Sequence, residues 1–270
     1  MIQIQYQPIS QQAVSSLMGS YGEILSKMIQ YKEVYQYNNL QELAFELYFR
    51  KQTMKASVDL NKSGVTFAVF KESFCNPKYW RLTNRGAFVI KSGIRPRDAI
   101  RDIFLNGKKY AFECATAIVI IFYKAALQSI KEEQFDQLFS GLTLYDWHYD
   151  DDLGVITKEG NDYLQGDCVY FKNPDVNPLT PEWRGENCII LQNDLYFGHG
   201  IGIKTGREMI EEINQFRIPG ATRSAYLLSQ VTRPNYQYLS QFKKTLYFLI
   251  FRESGQPLSF ETPYSLHCFI

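Results

Sequence analysis

The chain has 270 residues, which is enough for one large domain or two small ones with a sizeable hydrophobic core. The formal net charge is +1 and 21% of the residues are charged, so the whole chain offers no electrostatic attraction for nucleic acid or for an anionic membrane. The five cysteines include no C-x-x-C pair, which argues against a disulfide framework or a structural zinc site and fits a reducing compartment.

The N-terminal part of the chain predicts helices. It begins with neither a basic nor an apolar segment, so we expect no secretion signal and synthesis in the cytoplasm. Residues 1–37 are polar and rich in Gln and Tyr, with a helical pattern only over 23–31. Asn39 is placed to cap a second helix, with Glu42 at the third helical position, as in a capping box. The pattern continues to about residue 60, and Gly64 ends it.

Short strands and a further helix are predicted next. Strand-forming residues occupy three segments: 65–70, 80–82 and, after the turn Asn84-Arg85-Gly86, 87–90. Pro96 then opens a short helix that Asn106-Gly107 closes.

An apolar run of about 13 residues follows Cys114, without Gly or Pro and with Lys124 as its only charge. Its length favours a buried helix over a strand and is too short to cross a bilayer. If the helix begins near Glu113, its unpaired first-turn N–H groups and the positive end of its dipole lie at Cys114. This position predicts a thiol pKa below its usual value of about 8.5 and a nucleophilic thiolate. The alternative is a cysteine that only packs in the core.

After Gly141 the apolar pattern changes to a period of two, which predicts strands over 142–147, 167–171, 187–191 and 195–197, the last two joined by a hairpin turn at 192–194. The acidic segment 149–165 is predicted as a loop. Thr205 is placed to cap a helix, and an amphipathic stretch covers 224–231. Residues 245–251 form an apolar, strand-prone segment. Helices followed by an antiparallel sheet predict an α+β fold, which we expect to form one domain over 1–270.

Few side chains downstream could assist a nucleophilic cysteine. His199 lies between two glycines after a predicted strand, where it could reach an open cleft or be a surface imidazole. Glu186 begins a strand, a position that is usually surface. Asp146 and His148 precede three further aspartates, but their spacing matches no calcium loop, so a solvated acidic loop is favoured over a metal site.

Several blocks of sequence, in order and at fitting separations over about 40–233, resemble the spore-coat transglutaminases, the protein-glutamine γ-glutamyltransferases of spore-forming bacteria. These blocks are 112–121 (FECATAIVII), 144–149 (LYDWHY), 166–174 (GDCVYFKNP), 183–187 (WRGEN) and 224–230 (SAYLLSQ). The resemblance is weaker over the first 35 residues and does not extend to the segment 240–270, whose role stays open.

The resemblance implies a papain-like or NlpC/P60-like domain whose cysteine-bearing helix packs on a small antiparallel sheet. It implies that Cys114 is the nucleophile, that Glu186 is the carboxylate paired with it, and that Glu113 is a second acidic group beside it. Further residues lining the site would be the polar Asp146 and His199 and the aromatic Phe67, Trp147 and Trp183, which would wall a tunnel between the two substrates.

The function implied is formation of isopeptide crosslinks between Gln and Lys side chains of protein substrates through a cysteine thioester. The resemblance also implies that the enzyme needs no cofactor or calcium, binds neither nucleic acid nor membrane, and is deposited at the spore coat after synthesis in the mother cell. We expect donors at the start of the cysteine helix to bind the oxyanion. Burial against Trp147 and Trp183, and the charge of Glu113, should raise the pKa of Glu186.

Three alternatives stay open on the sequence. A cysteine peptidase or amidase of similar fold would use water as the acceptor instead of Lys. A structural coat protein would contain Cys114 only as a buried residue. If the protein is an enzyme, its principal base could be His199 instead of Glu186, as in ordinary papain-like enzymes.

Overall fold

The computed structural model of the protein describes residues 1–244. The helices of these residues are α1 (Gln11–Gln30), α2 (Leu40–Lys62), α3 (Pro96–Leu105), α4 (Cys114–Ser129), α5 (Glu132–Leu138), α6 (Gly206–Asn214) and α7 (Tyr236–Leu239). The strands are β1 (Ile2–Ile4), β2 (Gln7–Pro8), β3 (Tyr35–Tyr37), β4 (Thr66–Phe67), β5 (Trp80–Leu82), β6 (Phe88–Ile90), β7 (Ala111–Phe112), β8 (Thr143–Leu144), β9 (Ile156–Glu159), β10 (Cys168–Lys172), β11 (Gly185–Ile190), β12 (Leu195–Gly198), β13 (Gly202–Thr205), β14 (Tyr226–Leu227) and β15 (Gln230–Arg233). The predicted mixture of helix and sheet is confirmed.

The N-terminal region is more ordered than the sequence predicts. The short helix expected over 23–31 is the second half of the 20-residue α1, which Ser10 caps and which is kinked at Tyr21. Around it, β1, β2 and β3 form a three-stranded sheet. Tyr35 and Tyr37 are buried on either side of an exposed Gln36, so the alternation that marks a strand is present but too short to stand out.

The second helix is confirmed together with its cap. Asn39 Oδ1 accepts a hydrogen bond from the Glu42 N–H at 2.9 Å. The Glu42 carboxylate reaches back one residue further than in a capping box, to the N–H of Asn38 at 2.8 Å. The helix ends at Lys62, just before Gly64, whose φ of +85° lies in the left-handed region.

The apolar run after Cys114 forms the buried helix α4, which packs against α2 and against the main sheet at β11. Its β-branched residues are almost completely excluded from solvent, and tertiary packing therefore outweighs their modest helix propensity. The single charge is tolerated because the Lys124 ammonium lies over the Phe104 ring, 4.9 Å from its centroid.

The main sheet has the antiparallel strand order β13-β12-β11-β10-β15-β9, with β14 paired to the end of β10. The hairpin predicted between β11 and β12 is confirmed, since Asn193 and Asp194 both have positive φ, at 56° and 57°. Two glycines that look like simple turn residues instead flank a further hairpin, in which Gly198 pairs with Gly202.

Two predictions for the C-terminal half are wrong. The strand expected over 142–147 is only the two-residue β8, which belongs to a separate three-stranded sheet with β5 and β6. The acidic segment expected as a loop contains β9, an edge strand that is mostly exposed and therefore shows no apolar alternation. The amphipathic stretch 224–231, for which no element was predicted, forms β14 and the first half of β15.

The described end of the chain packs against the cysteine helix. The Lys131 N–H donates to the Phe242 carbonyl at 2.9 Å, and Lys244 Nζ donates to the Leu127 carbonyl at 3.0 Å. Tyr236 and Leu239 are buried. Residues up to 244 therefore belong to the packed structure, while the strand predicted over 245–251 lies outside the described residues.

Candidate active site

Cys114 is the first residue of α4, as the sequence predicts. Glu113 is the N-cap, and its carboxylate accepts hydrogen bonds from the N–H groups of Ala115 and Thr116, each at 2.6 Å. Two first-turn donors are therefore already satisfied by a carboxylate, which also opposes the positive end of the helix dipole. The expectation that several free donors at the helix start hold an oxyanion is wrong for these two groups.

The thiol of Cys114 is partly buried and lies on the wall of a cavity. Burial raises its pKa well above the ordinary value, the charges of Glu186 and Glu113 raise it further, and hydrogen bonds from Asn187 oppose them. The Asn187 amide Nδ2 is 3.5 Å from Cys114 Sγ. The predicted lowering of the thiol pKa is therefore wrong, because desolvation and two nearby carboxylates outweigh the helix dipole.

Glu186 lies on β11 beside the thiol and is only 2% exposed. Burial raises its pKa to about 8, against hydrogen bonds from the backbone of Gly200 and His199 and from Cys114, while the charge of Glu113 adds to the rise. The Gly200 N–H donates to Glu186 Oε1 at 3.3 Å. The direction predicted for this pKa is confirmed, and desolvation is the larger of the two predicted causes.

Gly198 explains how the carboxylate fits into the sheet. A Cβ at this position would lie 2.9 Å from Glu186 Cγ and 3.1 Å from Cys188 Sγ, closer than side-chain atoms pack. Gly198 thus makes room for Glu186, and it does not open a path for the imidazole of His199.

His199 has a different environment from the one predicted. Its ring stacks on Phe112 with centroids 4.9 Å apart, and its Nε2 is buried without a hydrogen-bond partner among residues 1–244. Burial lowers its pKa to about 4, so the imidazole is neutral. The backbone N–H of His199, not its side chain, contributes to the environment of Glu186. The expectation that the His199 ring reaches an open cleft is wrong.

The cavity in front of the thiol has a volume of about 720 Å³ and mixes aromatic with polar walls. Phe67 and Trp147 line it, as predicted, and Asp146 lies at its edge with a φ of +49°. Trp183, which was predicted as a wall residue, does not line the cavity. Its ring centroid is 6.1 Å from that of Phe67, and it stacks on Phe216, with ring centroids 4.0 Å apart. A Cβ on Gly200 would meet both Trp183, at 3.3 Å, and Glu186, at 3.8 Å, so this indole helps to enclose the carboxylate.

The sequence did not identify several residues on the cavity wall. They are polar or aromatic side chains from β10, β11 and β15: Tyr170, Lys172, Asn187, Gln230 and Thr232. Asn187 is the one in hydrogen-bond contact with the thiol. In the sequence, the only indication of a role for Asn187 is its position directly after Glu186. An Asn near the start of a strand does not by itself indicate a catalytic role.

Two further observations concern metals and membranes. Within residues 1–244, no cluster of three or more His, Cys, Asp or Glu side chains is placed to hold a metal ion. In the same range, no helix combines the length and apolar character needed to cross a membrane.

Known proteins with similar sequence and structure share one description. The sequence profile of the family "Protein-glutamine gamma-glutamyltransferase" matches residues 1–243. The chain is 45% identical over 243 residues to a protein of that name from Bacillus pumilus (strain SAFR-032), which covers 89% of this chain and 98% of the relative. It is 49% identical over 220 residues to the protein of the same name from Bacillus cereus (strain B4264), which covers 82% and 80%. A transglutaminase from Geobacillus stearothermophilus, solved without its C-terminal extension, superposes with a TM-score of 0.74 at 54% identity, over 76% of this chain and 99% of that chain.

Proposed function

The chain belongs to the protein-glutamine γ-glutamyltransferase family and catalyses acyl transfer from protein glutamine to lysine, and we propose that it does so through Cys114 and Glu186. One observation carries this assignment: the Cys114 thiol lies on the cavity wall with a buried carboxyl group of pKa about 8 directly behind it. The substrate can therefore reach the nucleophile, Cys114, whereas the base, Glu186, is shielded from water.

In the first step, Cys114 Sγ attacks the carbonyl carbon of a glutamine γ-carboxamide. Because the pKa of the thiol is raised, the resting sulfur is protonated, and its proton passes to the Glu186 carboxylate as the C–S bond forms. The protonated Glu186 then gives this proton to the leaving nitrogen. Ammonia departs and a thioester remains on Cys114.

Asn187 is placed to stabilise the negative charge that develops on the carbonyl oxygen. Glu113 already occupies the N–H groups of Ala115 and Thr116, so these cannot serve. The Asn187 Nδ2 makes only a long contact with Sγ, at 3.5 Å, and it lines the same cavity. We propose that this amide turns from the sulfur to the oxyanion during the reaction.

The second step transfers the acyl group to lysine. The neutral ε-amine attacks the thioester, Glu186 accepts its proton, and the sulfur recovers a proton as the isopeptide is released. Glu113 and Asp146 provide negative charge at the cavity wall for the incoming ammonium group. Phe67 and Trp147 exclude water that would otherwise hydrolyse the thioester.

The wider setting rests on the family resemblance. The cysteine at the start of a helix that packs on an antiparallel sheet supports a papain-like arrangement in which the sheet supplies a glutamate as the base. We also propose that the protein substrates are spore-coat proteins, that the enzyme is deposited at the coat, and that it works without calcium.

Incorporation of a fluorescent primary amine into a glutamine-containing protein tests the proposal. We expect incorporation by the wild type with and without a calcium chelator, none by Cys114→Ala, and the matched cavity variant Glu182→Gln to remain active. Release of ammonia without incorporation of the amine would show hydrolysis instead of transfer. Antibody labelling of intact spores, compared with mother-cell extract, tests the location.

A further inference from the structure

A second groove lies next to the active-site cavity, and its wall is positively charged. It has a volume of about 610 Å³ and is formed by the sheet of β5, β6 and β8 together with the turn after β8. Residues 73–97, which include β5 and β6, contain six Lys or Arg side chains and no Asp or Glu, although the whole chain has a net charge of only +1. This segment is therefore a local concentration of positive charge.

The strand register explains why the groove has this character. Arg81, Val89 and Thr143 are direct neighbours across the three strands. Phe88 and Leu144 alternate with them, and both are buried against the core. The outer face of the sheet therefore presents Arg81, Val89 and Thr143, while the neighbouring Leu82 pairs with Phe88 on the opposite face.

The two arginines that line the groove, Arg81 and Arg85, have no ionic partner among the described residues. Of the neighbouring basic residues, Arg95 is paired with Asp98, and Arg97 is paired with acidic residues of α5. Arg81 and Arg85 are exposed, and their guanidinium groups make no ion pair or hydrogen bond with any residue in the part of the chain that is described, 1–244. A carboxylate brought to them gains two new pairs without breaking an existing one.

One turn connects this groove to the catalytic cavity. Tyr145 and His148 form an isolated bridge and line the groove. The two residues between them, Asp146 and Trp147, line the cavity that contains Cys114. The Tyr145 ring also packs against Phe70, another cavity residue, with ring centroids 4.6 Å apart and the planes tilted by 37°. A peptide bound in the cavity needs only to cross this turn to reach the two arginines.

We propose that this groove is a docking site for an acidic segment of the protein substrate, near the glutamine or lysine that reacts. The proposal rests on the proposed function, because it concerns substrates of the same site. Acidic side chains of the segment pair with Arg81 and Arg85, and its apolar groups contact Val89. The groove thus selects among proteins that all contain glutamine.

The test uses two peptides with one reactive glutamine, with and without four consecutive glutamates, at a series of spacings on either side. The wild type should have a KM about three- to tenfold lower for the acidic peptide at its best spacing, as expected for two exposed ion pairs. The double variant Arg81→Glu/Arg85→Glu should lose this preference and keep its kcat on the neutral peptide. High salt should remove the preference in the wild type.

A matched control carries the same charge change elsewhere. Lys32 and Lys62 are exposed and lie outside both the groove and the cavity, so Lys32→Glu/Lys62→Glu should keep the preference. Equal loss in both double variants, or an unchanged preference after reversal of the arginines, would overturn the proposal. Binding of the labelled acidic peptide to Cys114→Ala gives a readout independent of catalysis, so failure of the enzymatic function can be told apart from failure of the groove. Stronger competition by single-stranded DNA than by the acidic peptide would assign the groove to nucleic acid instead.

Discussion

Replacing Glu186 by Gln tests the buried carboxyl group through the stability of the fold as well as through activity. In the folded protein, burial raises the pKa of this group from 4.5 to about 8. A raised carboxyl pKa stabilises the protonated folded state, so this contribution is fully present below pH 4.5 and is lost as the pH rises towards 8. Glutamine has the same shape and does not ionise, so the variant should not show this loss.

The size of the effect follows from the two pKa values. The interval between 4.5 and 8, at about 1.36 kcal/mol per pH unit, gives about 5 kcal/mol as an upper bound for the penalty at high pH. Local relaxation and entry of water reduce such penalties in real proteins. We therefore expect Glu186→Gln to be about 2 kcal/mol more stable than the wild type at pH 8, which corresponds to a rise in Tm of roughly 4–8 °C for a chain of this size.

Thermal unfolding at pH 5, 6.5, 8 and 9 measures this difference. The Tm gain of Glu186→Gln over the wild type should grow from pH 5 to pH 8 and then level off. Glu182→Gln, which changes another acid on the cavity wall, should track the wild type at every pH. A gain that is the same at pH 5 and pH 8 would refute the assignment of a strongly raised pKa to Glu186. Amine incorporation by the variant should fall by about 10²–10⁴-fold, as for loss of a general base.

Three further predictions concern His199, Asn187 and the end of the chain. His199→Phe should keep amine incorporation within about threefold of the wild type, because the neutral ring packs on Phe112 and the replacement removes a buried nitrogen that has no hydrogen-bond partner within residues 1–244. Activity as low as that of Cys114→Ala would make the histidine the base. Asn187→Ala should lower kcat/KM by about 10²-fold with an unchanged Tm, as for loss of an oxyanion donor; a rise in KM at constant kcat would show that the amide only binds substrate. Removal of 245–270 should leave Tm and activity unchanged, whereas removal of 236–270 should cost more than about 2 kcal/mol because Tyr236 and Leu239 are buried; equal Tm losses in the two truncations would contradict this reading.

Local signals in the sequence predicted the elements that depend on neighbouring residues. The cap at Asn39 and the hairpin at Asn193 each follow from one or two side chains acting on adjacent backbone, so the structure confirms them. The buried helix α4 was predictable because its apolar run is long and unbroken. Short strands such as β3 and β9 were missed, since three or four residues carry too little periodicity to be recognised.

The electrostatics of the site could not be predicted in the same way. A cysteine at a helix start suggests a low thiol pKa, and the sequence contains that signal. The opposite result arises because Glu113 caps the helix and because Glu186, more than seventy residues later, is buried beside the sulfur. Only the fold brings the second carboxylate to the thiol, and only burial makes its effect larger than that of the dipole.

The raised pKa of Glu186 suits a base that must accept and then release a proton in each of the two steps of the cycle. A carboxylate with a pKa near 4.5 is too weak a base for a thiol whose own pKa is raised, or for a lysine ammonium of about 10.4. At about 8, the pKa of Glu186 is closer to the pKa values of the thiol and of the lysine ammonium. Proton transfer in either direction therefore requires less free energy. The desolvation that produces this value also destabilises the fold at neutral pH. The gain in stability and the loss of activity in Glu186→Gln should therefore occur together. If Glu186→Gln gained stability but kept its crosslinking rate, the buried carboxyl group of Glu186 would not be the base.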